Sequence, residues 1–428
     1  SEIGVGCEAC HGPGSLHLEW AEADGNMPGW PLEGFSPTGF SADFTTGDAE
    51  TEIQQCAACH SRRGPLEAGS PLPGTPFHDA YRLSTLRDPL YHADGQILDE
   101  VYVYGSFLQS KMYAAGVQCS DCHDVHSATH HNEGDGVCLT CHSPAGNPDF
   151  PTLKLAEYDS VEHHFHEPGS EGAQCVSCHM IERVYMGVDG RHDHSFRVPR
   201  PDLSVSTGAP NACTDCHAAE GPFWAQQELE KRFPDSEYRG PHFATTFAAI
   251  RKGDASEVAN LAEIARSDLP PIVRATALEM LLPYASPELA DGLQDLLSDP
   301  DPMVRANATG LQRAAAPTDM AMRLLPMLED DTRVVRNAAV RELLSAPIAH
   351  LPDKQATDMR NAMGEWQETL AATADFPETQ LVLGGIALTT RNLEGALASF
   401  GEAVRLDPQA TNAWSMIVRL QAATGDTE

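Results

Sequence analysis

All twelve cysteines of this 428-residue chain fall in C-x-x-C pairs, and histidine follows every pair at once. The six motifs are Cys7–Cys10–His11, Cys56–Cys59–His60, Cys119–Cys122–His123, Cys138–Cys141–His142, Cys175–Cys178–His179 and Cys213–Cys216–His217. Six identical offsets with no cysteine left over constrain the fold more than any other feature. C-x-x-C-H is the attachment signature of c-type haem. Two thiols at that spacing reach the two vinyl groups on one porphyrin edge, and the next residue sets an imidazole under the iron. Zinc would combine two C-x-x-C units or use two histidines three to five residues apart. A thioredoxin-like dithiol needs one motif, not six. The expectation is six covalent haem c groups, thioether-bonded to the twelve cysteines, with His11, His60, His123, His142, His179 and His217 as proximal ligands. Covalent haem attachment places the protein outside the cytoplasm, in the periplasm or beyond it.

All six motifs precede residue 218, so porphyrins must form much of the core of this segment. The chain between motifs is rich in turn formers, as in Gly12-Pro13-Gly14 and Pro71-Leu72-Pro73-Gly74. Short helices carrying the motifs, long loops and almost no sheet follow. Cys138 comes only 15 positions after His123, and the next two motif-to-motif steps are 37 and 38 positions. Haems on such short tethers must lie close together.

Each iron takes a sixth ligand or stays open for chemistry. Eleven further histidines lie in residues 1–222: His17, His78, His92, His126, His130, His131, His163, His164, His166, His192 and His194. His126 follows His123 by three positions, so it faces away from its own haem and suits a neighbour. His130 and His131 sit in a polar loop and are weaker candidates. Met112, Met180 and Met186 offer thioethers, although methionine more often packs. Bis-His ligation is the economical reading.

From Phe223 cysteine vanishes and Ala and Leu dominate. Phe223–Phe233 reads as a linker helix ended by Pro234. A Val-Arg pair then recurs at Val273-Arg274, Val304-Arg305 and Val335-Arg336, a period of 31. Asp301 before Pro302 is an N-cap with a first-turn proline. Each unit is a helical pair, and the series resembles HEAT repeats. Leu383-Gly384, Ala396, Phe400, Ala403 and Pro408 fall at the offsets of a tetratricopeptide repeat, and Trp414 and Ile417 begin another. The expected fold class is therefore mainly α: a loop-rich multihaem cytochrome c domain followed by an α-solenoid. The expected segments are 1–222 (hexahaem), 223–254 (linker), 255–350 (HEAT-like) and 351–428 (long helix plus tetratricopeptide repeat).

A formal net charge of −34 argues against nucleic acid and anionic membrane surfaces as partners. It reads first as a solubility feature and second as steering toward a basic redox partner. There is no apolar run long enough for a transmembrane helix. The chain opens at Ser1 without an initiator Met and is read as a processed product or fragment whose secretory leader has been removed.

Cys7-Glu8-Ala9-Cys10-His11-Gly12-Pro13-Gly14-Ser15 resembles the tetrahaem cytochromes of ammonia oxidisers and the superfamily that includes hydroxylamine oxidoreductase and the multihaem nitrite reductases. The stretches Asp94–Phe107 and Asp193–Leu203, with the HEAT-like and terminal tetratricopeptide segments, look like bacterial multihaem cytochromes with tetratricopeptide repeats. The resemblance implies distal ligation by His17, His92, His126, His166 and His194, with His163 or His78 as the sixth. It also implies a further haem-bearing segment upstream, and it carries no settled reaction.

The leading expectation is an electron-transfer protein: a chain of closely spaced haems, with the solenoid docking redox partner proteins or neighbouring copies, in the limit a homo-oligomeric filament. The alternative is an oxidoreductase acting on small nitrogen or sulfur compounds, such as nitrite or hydroxylamine, at one open haem. Relatives that mark the catalytic haem with a proximal lysine have no counterpart here, because every motif ends in histidine.

Overall fold

The computed structural model describes residues 4–27, 29–346 and 351–425. Contacts divide the chain into two compact units: Ser1–Arg62, Leu72–Phe77 and Leu83–Tyr284 form the first, and Arg63–Pro71, His78–Arg82 and Ala285–Glu428 the second. The chain is mainly helical.

In the first unit the motifs lie on short helical segments, among them Cys7–His11, Ala49–Ala57, Gly136–Leu139, Cys175–His179 and Ala212–Cys216. Positions i and i+3 share one helix face, so where one turn spans the motif, as in Cys7–His11, Cys175–His179 and Ala212–Cys216, both thiols turn the same way. Strand is confined to short ribbons such as His123–Asp124 with Thr129–His130, and Glu182–Tyr185 with Asp189–His192. Gly12, at φ +88°, ends the first motif helix where a Cβ would fall 2.0 Å from the Ser41 hydroxyl. Only glycine lets the chain turn there.

A conventional core stands at the C-terminal end of this unit. Helices Phe243–Arg251, Val258–Arg266 and Pro271–Leu281 bury Phe247, Leu261, Ile272, Leu278 and Leu281 almost completely. The segment around Tyr91 is clamped to them. The Arg251 guanidinium donates to the carbonyls of Tyr91 (2.8 Å) and Leu86 (2.6 Å), and the Thr276 hydroxyl accepts from the Leu86 N–H (2.9 Å). The linker helix runs Gly221–Arg232 and stops just before Pro234, as the restriction on the residue preceding proline requires.

The second unit shows why a 31-residue period was visible. Helices Pro302–Thr309 and Arg333–Leu343 each open on the repeated pair, with Val304 and Val335 fully buried. The adjoining arginines turn outward to carboxylates further along the chain. Arg305 makes two hydrogen bonds to Asp330 (2.8 and 2.9 Å), and Arg336 makes two to Glu365 (both 2.8 Å). One residue type thus fills the repeat and the next clips it to its successor. Asp301 caps its helix by accepting from the N–H groups of Met303 and Val304. Helix Asp353–Ala372 closes this layer with Ala362 and Trp366. Beyond it, Pro377–Thr389, Leu393–Leu406 and Thr411–Thr424 pack around Ala396, Phe400, Ala403 and Ala413. A Cβ at Gly384 would fall 2.5 Å from the Phe400 ring, so the first two of these helices meet at backbone distance.

Candidate haem-binding site

A continuous cavity of about 3420 Å³ runs through the first unit, and thiols of all six motifs line it. Pockets for one small molecule hold roughly 300–1,000 Å³, so this space suits several large planar groups in a row. All twelve cysteines are free thiols.

Thiols of successive motifs meet in chain order. Cys10 lies within electrostatic reach of Cys56 and Cys59. Cys56 and Cys119 share a hydrogen bond that holds the Cys56 thiol well above its ordinary pKa. Cys122 neighbours Cys138 and Cys141, and burial pushes its thiol up to about 11. Cys138 hydrogen-bonds Cys175. Cys178, also pushed up to about 11 by burial, neighbours Cys213 and Cys216. A zinc site does not account for this. Among the described residues the one group of three close ligand atoms is Glu52, Cys56 and Cys119, drawn from two different motifs, and no cluster unites two complete Cys pairs.

The imidazoles carry the sharper geometry. An imidazole nitrogen sits about 2 Å from the metal it binds, and the ring centre about 1 Å further back. Two rings facing one ion therefore lie about 6 Å apart. Four of the motif histidines have such a partner. His11 and His126 stand 6.3 Å apart and 3° from parallel. His123 and His194 are 6.4 Å apart, His179 and His163 6.2 Å, and His217 and His166 6.2 Å.

The surroundings of these rings suit ligation through Nε2. A metal-bound histidine usually donates its other N–H to a carbonyl or carboxylate. Nδ1 of His179 donates to the Arg197 carbonyl (2.7 Å), Nδ1 of His194 to His192 (2.9 Å), and Nδ1 of His166 to His164 (2.5 Å). Burial lowers the pKa of His11, His123, His142, His163, His179 and His194, which holds them in the neutral form that a metal needs.

Two motif histidines, His60 and His142, face no second imidazole among the described residues. Two expected distal ligands, His17 and His92, are not brought opposite any motif histidine. His17 lies flat on Phe40 (4.1 Å) and donates from Nδ1 to the Thr38 carbonyl (2.8 Å). His92 sits in the turn closed by its own N–H to the Gln96 carbonyl, near Asp94, Arg183, Arg197 and Arg251. His78 is buried in the second unit, where desolvation lowers its pKa to about 4. His130 is 4.7 Å from His123, too close for an ion between them; His131 spends Nε2 on the Ser120 carbonyl, and Nε2 of His192 lies 3.7 Å from the Glu182 carboxylate. Met186 is 87% exposed, whereas Met112 and Met180 line the cavity.

Sequence reasoning passed over the aromatic side chains that hem these imidazoles. Phe40 and Phe44 stand beside His11 (5.1 and 5.2 Å), Trp224 beside His217 (5.0 Å), and Phe233 beside His163 (6.1 Å). The signal was present in Phe223–Phe233, where Trp224 of the linker helix and Phe233 at its C-terminal end meet His217 and His163.

The family model for HEAT repeats matches residues 258–344. No curated protein matches the chain. Among solved structures, that of the outer cell wall cytochrome OcwA is similar over 73% of this chain and 70% of that chain, at 15% identity and a TM-score of 0.40.

Proposed function

We propose that this chain is a c-type cytochrome that holds six haems and carries electrons along them outside the cytoplasm. The four imidazole pairs at 6.2–6.4 Å, three of which line one thiol-lined cavity, carry this reading. Haem c supplies one reversible electron at each iron. The chain's own residues do the rest. The Cys pairs would fix each porphyrin edge, and the paired histidines would close both axial positions and exclude exogenous ligands. Two histidines at an iron favour lower potentials than a histidine–methionine pair. The thiol contacts support a spatial haem order that follows the sequence, from Cys7–His11 to Cys213–His217. The HEAT-repeat segment and the terminal helices, read as tetratricopeptide-like, would offer a docking surface to a redox partner or to further copies in a filament.

The test is the intact mass of protein matured with haem, followed by low-temperature EPR of the oxidised form. Six haem additions and predominantly low-spin signals are expected. A mass without haem, or mainly high-spin iron, refutes the reading. A second reading, reduction or oxidation of a small nitrogen compound at an open haem, is favoured by the two motif histidines without a facing imidazole. Turnover of nitrite or hydroxylamine with a reduced dye tests it.

A further inference from the structure

Where the second and third motifs meet, their sulfurs have a charged neighbour. A carboxylate oxygen of Glu52 and the sulfurs of Cys56 and Cys119 all lie within 4.8 Å of one another. Glu52 precedes Cys56 by one turn of the helix Ala49–Ala57, and positions i and i+4 share a face. Its partner is Ser120, the residue after Cys119 inside the third motif. The Ser120 N–H donates to Oε1 (2.8 Å) and the Ser120 hydroxyl to Oε2 (2.6 Å). Both donors are neutral, so the carboxylate is fixed in place without its charge being cancelled. Glu52 is half-buried, where a charge is screened less than on an open surface. The fourth and fifth motifs meet in a related way, with the Cys175 N–H donating to Asp135 (2.9 Å). Among the described residues, however, no carboxylate there joins both sulfurs at such short range.

On the cytochrome reading, on which this rests, we infer that Glu52 is a shared electrostatic control of the second and third haem sites. One fixed negative charge beside both attachment sulfurs lowers both potentials together. A ferric site carries one more positive charge than a ferrous one, so a nearby anion favours the oxidised form. Hydrogen bonds and burial around a haem act on the same quantity. A charge held near two sites shifts them in step and leaves the difference between them unchanged. Position and charge are separable here, because the Ser120 N–H can donate to an amide oxygen as it does to a carboxylate.

The experiment is a potentiometric titration of the full-length, haem-loaded protein, followed in the visible spectrum and by EPR. Glu52→Gln keeps an acceptor for the Ser120 N–H and removes the charge. Two of the six one-electron steps should therefore move upward, and the other four should move far less. Glu50→Gln removes the same charge from the same helix, at a site where Glu50 accepts from the Gln54 amide (3.0 Å), and should shift no step comparably. Six unmoved steps in Glu52→Gln, movement of a single step, or an equal shift in Glu50→Gln overturns the proposal and leaves the cytochrome reading intact. Should Glu52→Gln fail to take up six haems, Ser120→Ala decides. It removes the hydroxyl donor and leaves the carboxylate less shielded, so the same two steps should fall, and steps that stay or rise overturn the proposal. Wild-type protein that carries no haem fails the reading itself, and the mass measurement reports that separately.

Discussion

Residues 111–172 and residues 302–343 are both ordered, and they are ordered by different means. The first stretch carries two motifs and contains no buried residue at all. The second buries Val304, Ala308, Leu311, Leu324, Val335, Ala339 and Val340 to below 1% exposure. Folding must offset roughly 1–2 kcal/mol of backbone entropy per residue. The helical stretch does so with apolar side chains from its own sequence. The motif-bearing stretch surrounds a cavity, and its thiols and imidazoles converge on space that the chain does not fill. On the cytochrome reading, haem would fill that space, and long loops and one-turn helices would suffice around it.

The largest effect that could break this contrast is withholding haem. Replacing the twelve motif cysteines by alanine should make residues 111–172 the first site of limited proteolysis, while the helices from Pro302 onward stay resistant. Equal protection of both stretches would show that the motif region folds without its cofactor. Next in size, Leu324→Ala should cost about 2–5 kcal/mol in denaturant unfolding of the second unit, with the visible spectrum unchanged.

The third test uses His78. Its buried ring has a pKa lowered to about 4, against about 6.5 in an unfolded chain. The unfolded state therefore takes up a proton first as the pH falls. Stability is full above about pH 6.5 and declines toward pH 4, by about 3 kcal/mol in total. Unfolding followed at pH 7 and at pH 4.5 should show that slope in the wild type and a flatter one in His78→Gln. The smallest effect is expected at the Asp301 cap, where Asp301→Ala should cost about 1 kcal/mol and leave haem content alone.

The two regions also differ in how much a reader of the sequence can recover. The 31-residue period was legible because burial of Val273, Val304 and Val335 is a local, repeated requirement. The six motifs were legible because each repeats one fixed spacing within five residues. Which motif histidine each candidate faces was not legible from spacing, because the pairs arise where the chain returns on itself. His11 meets His126, and His123 meets His194. His163 and His166 illustrate the limit. Three positions apart, they would share one face of a continuous helix. Instead the helix Val161–His164 ends at Phe165 in the left-handed region, with φ +61°, and the two rings part toward His179 and His217.

The contacts between motifs bear on how such a chain can be made. Cys56 and Cys119 belong to different attachment sites, yet their sulfurs lie within 4.8 Å of each other, and Cys138 and Cys175 form a second such pair. Each pair is a small approach away from a disulfide that would tie two motifs together, and in oxidising surroundings such a bond would persist. A thioether on either sulfur removes that hazard for good. If the chain is the cytochrome proposed above, its biosynthesis would be a race between two fates of the same thiols, and the apoprotein would need a reductant until its haems were attached.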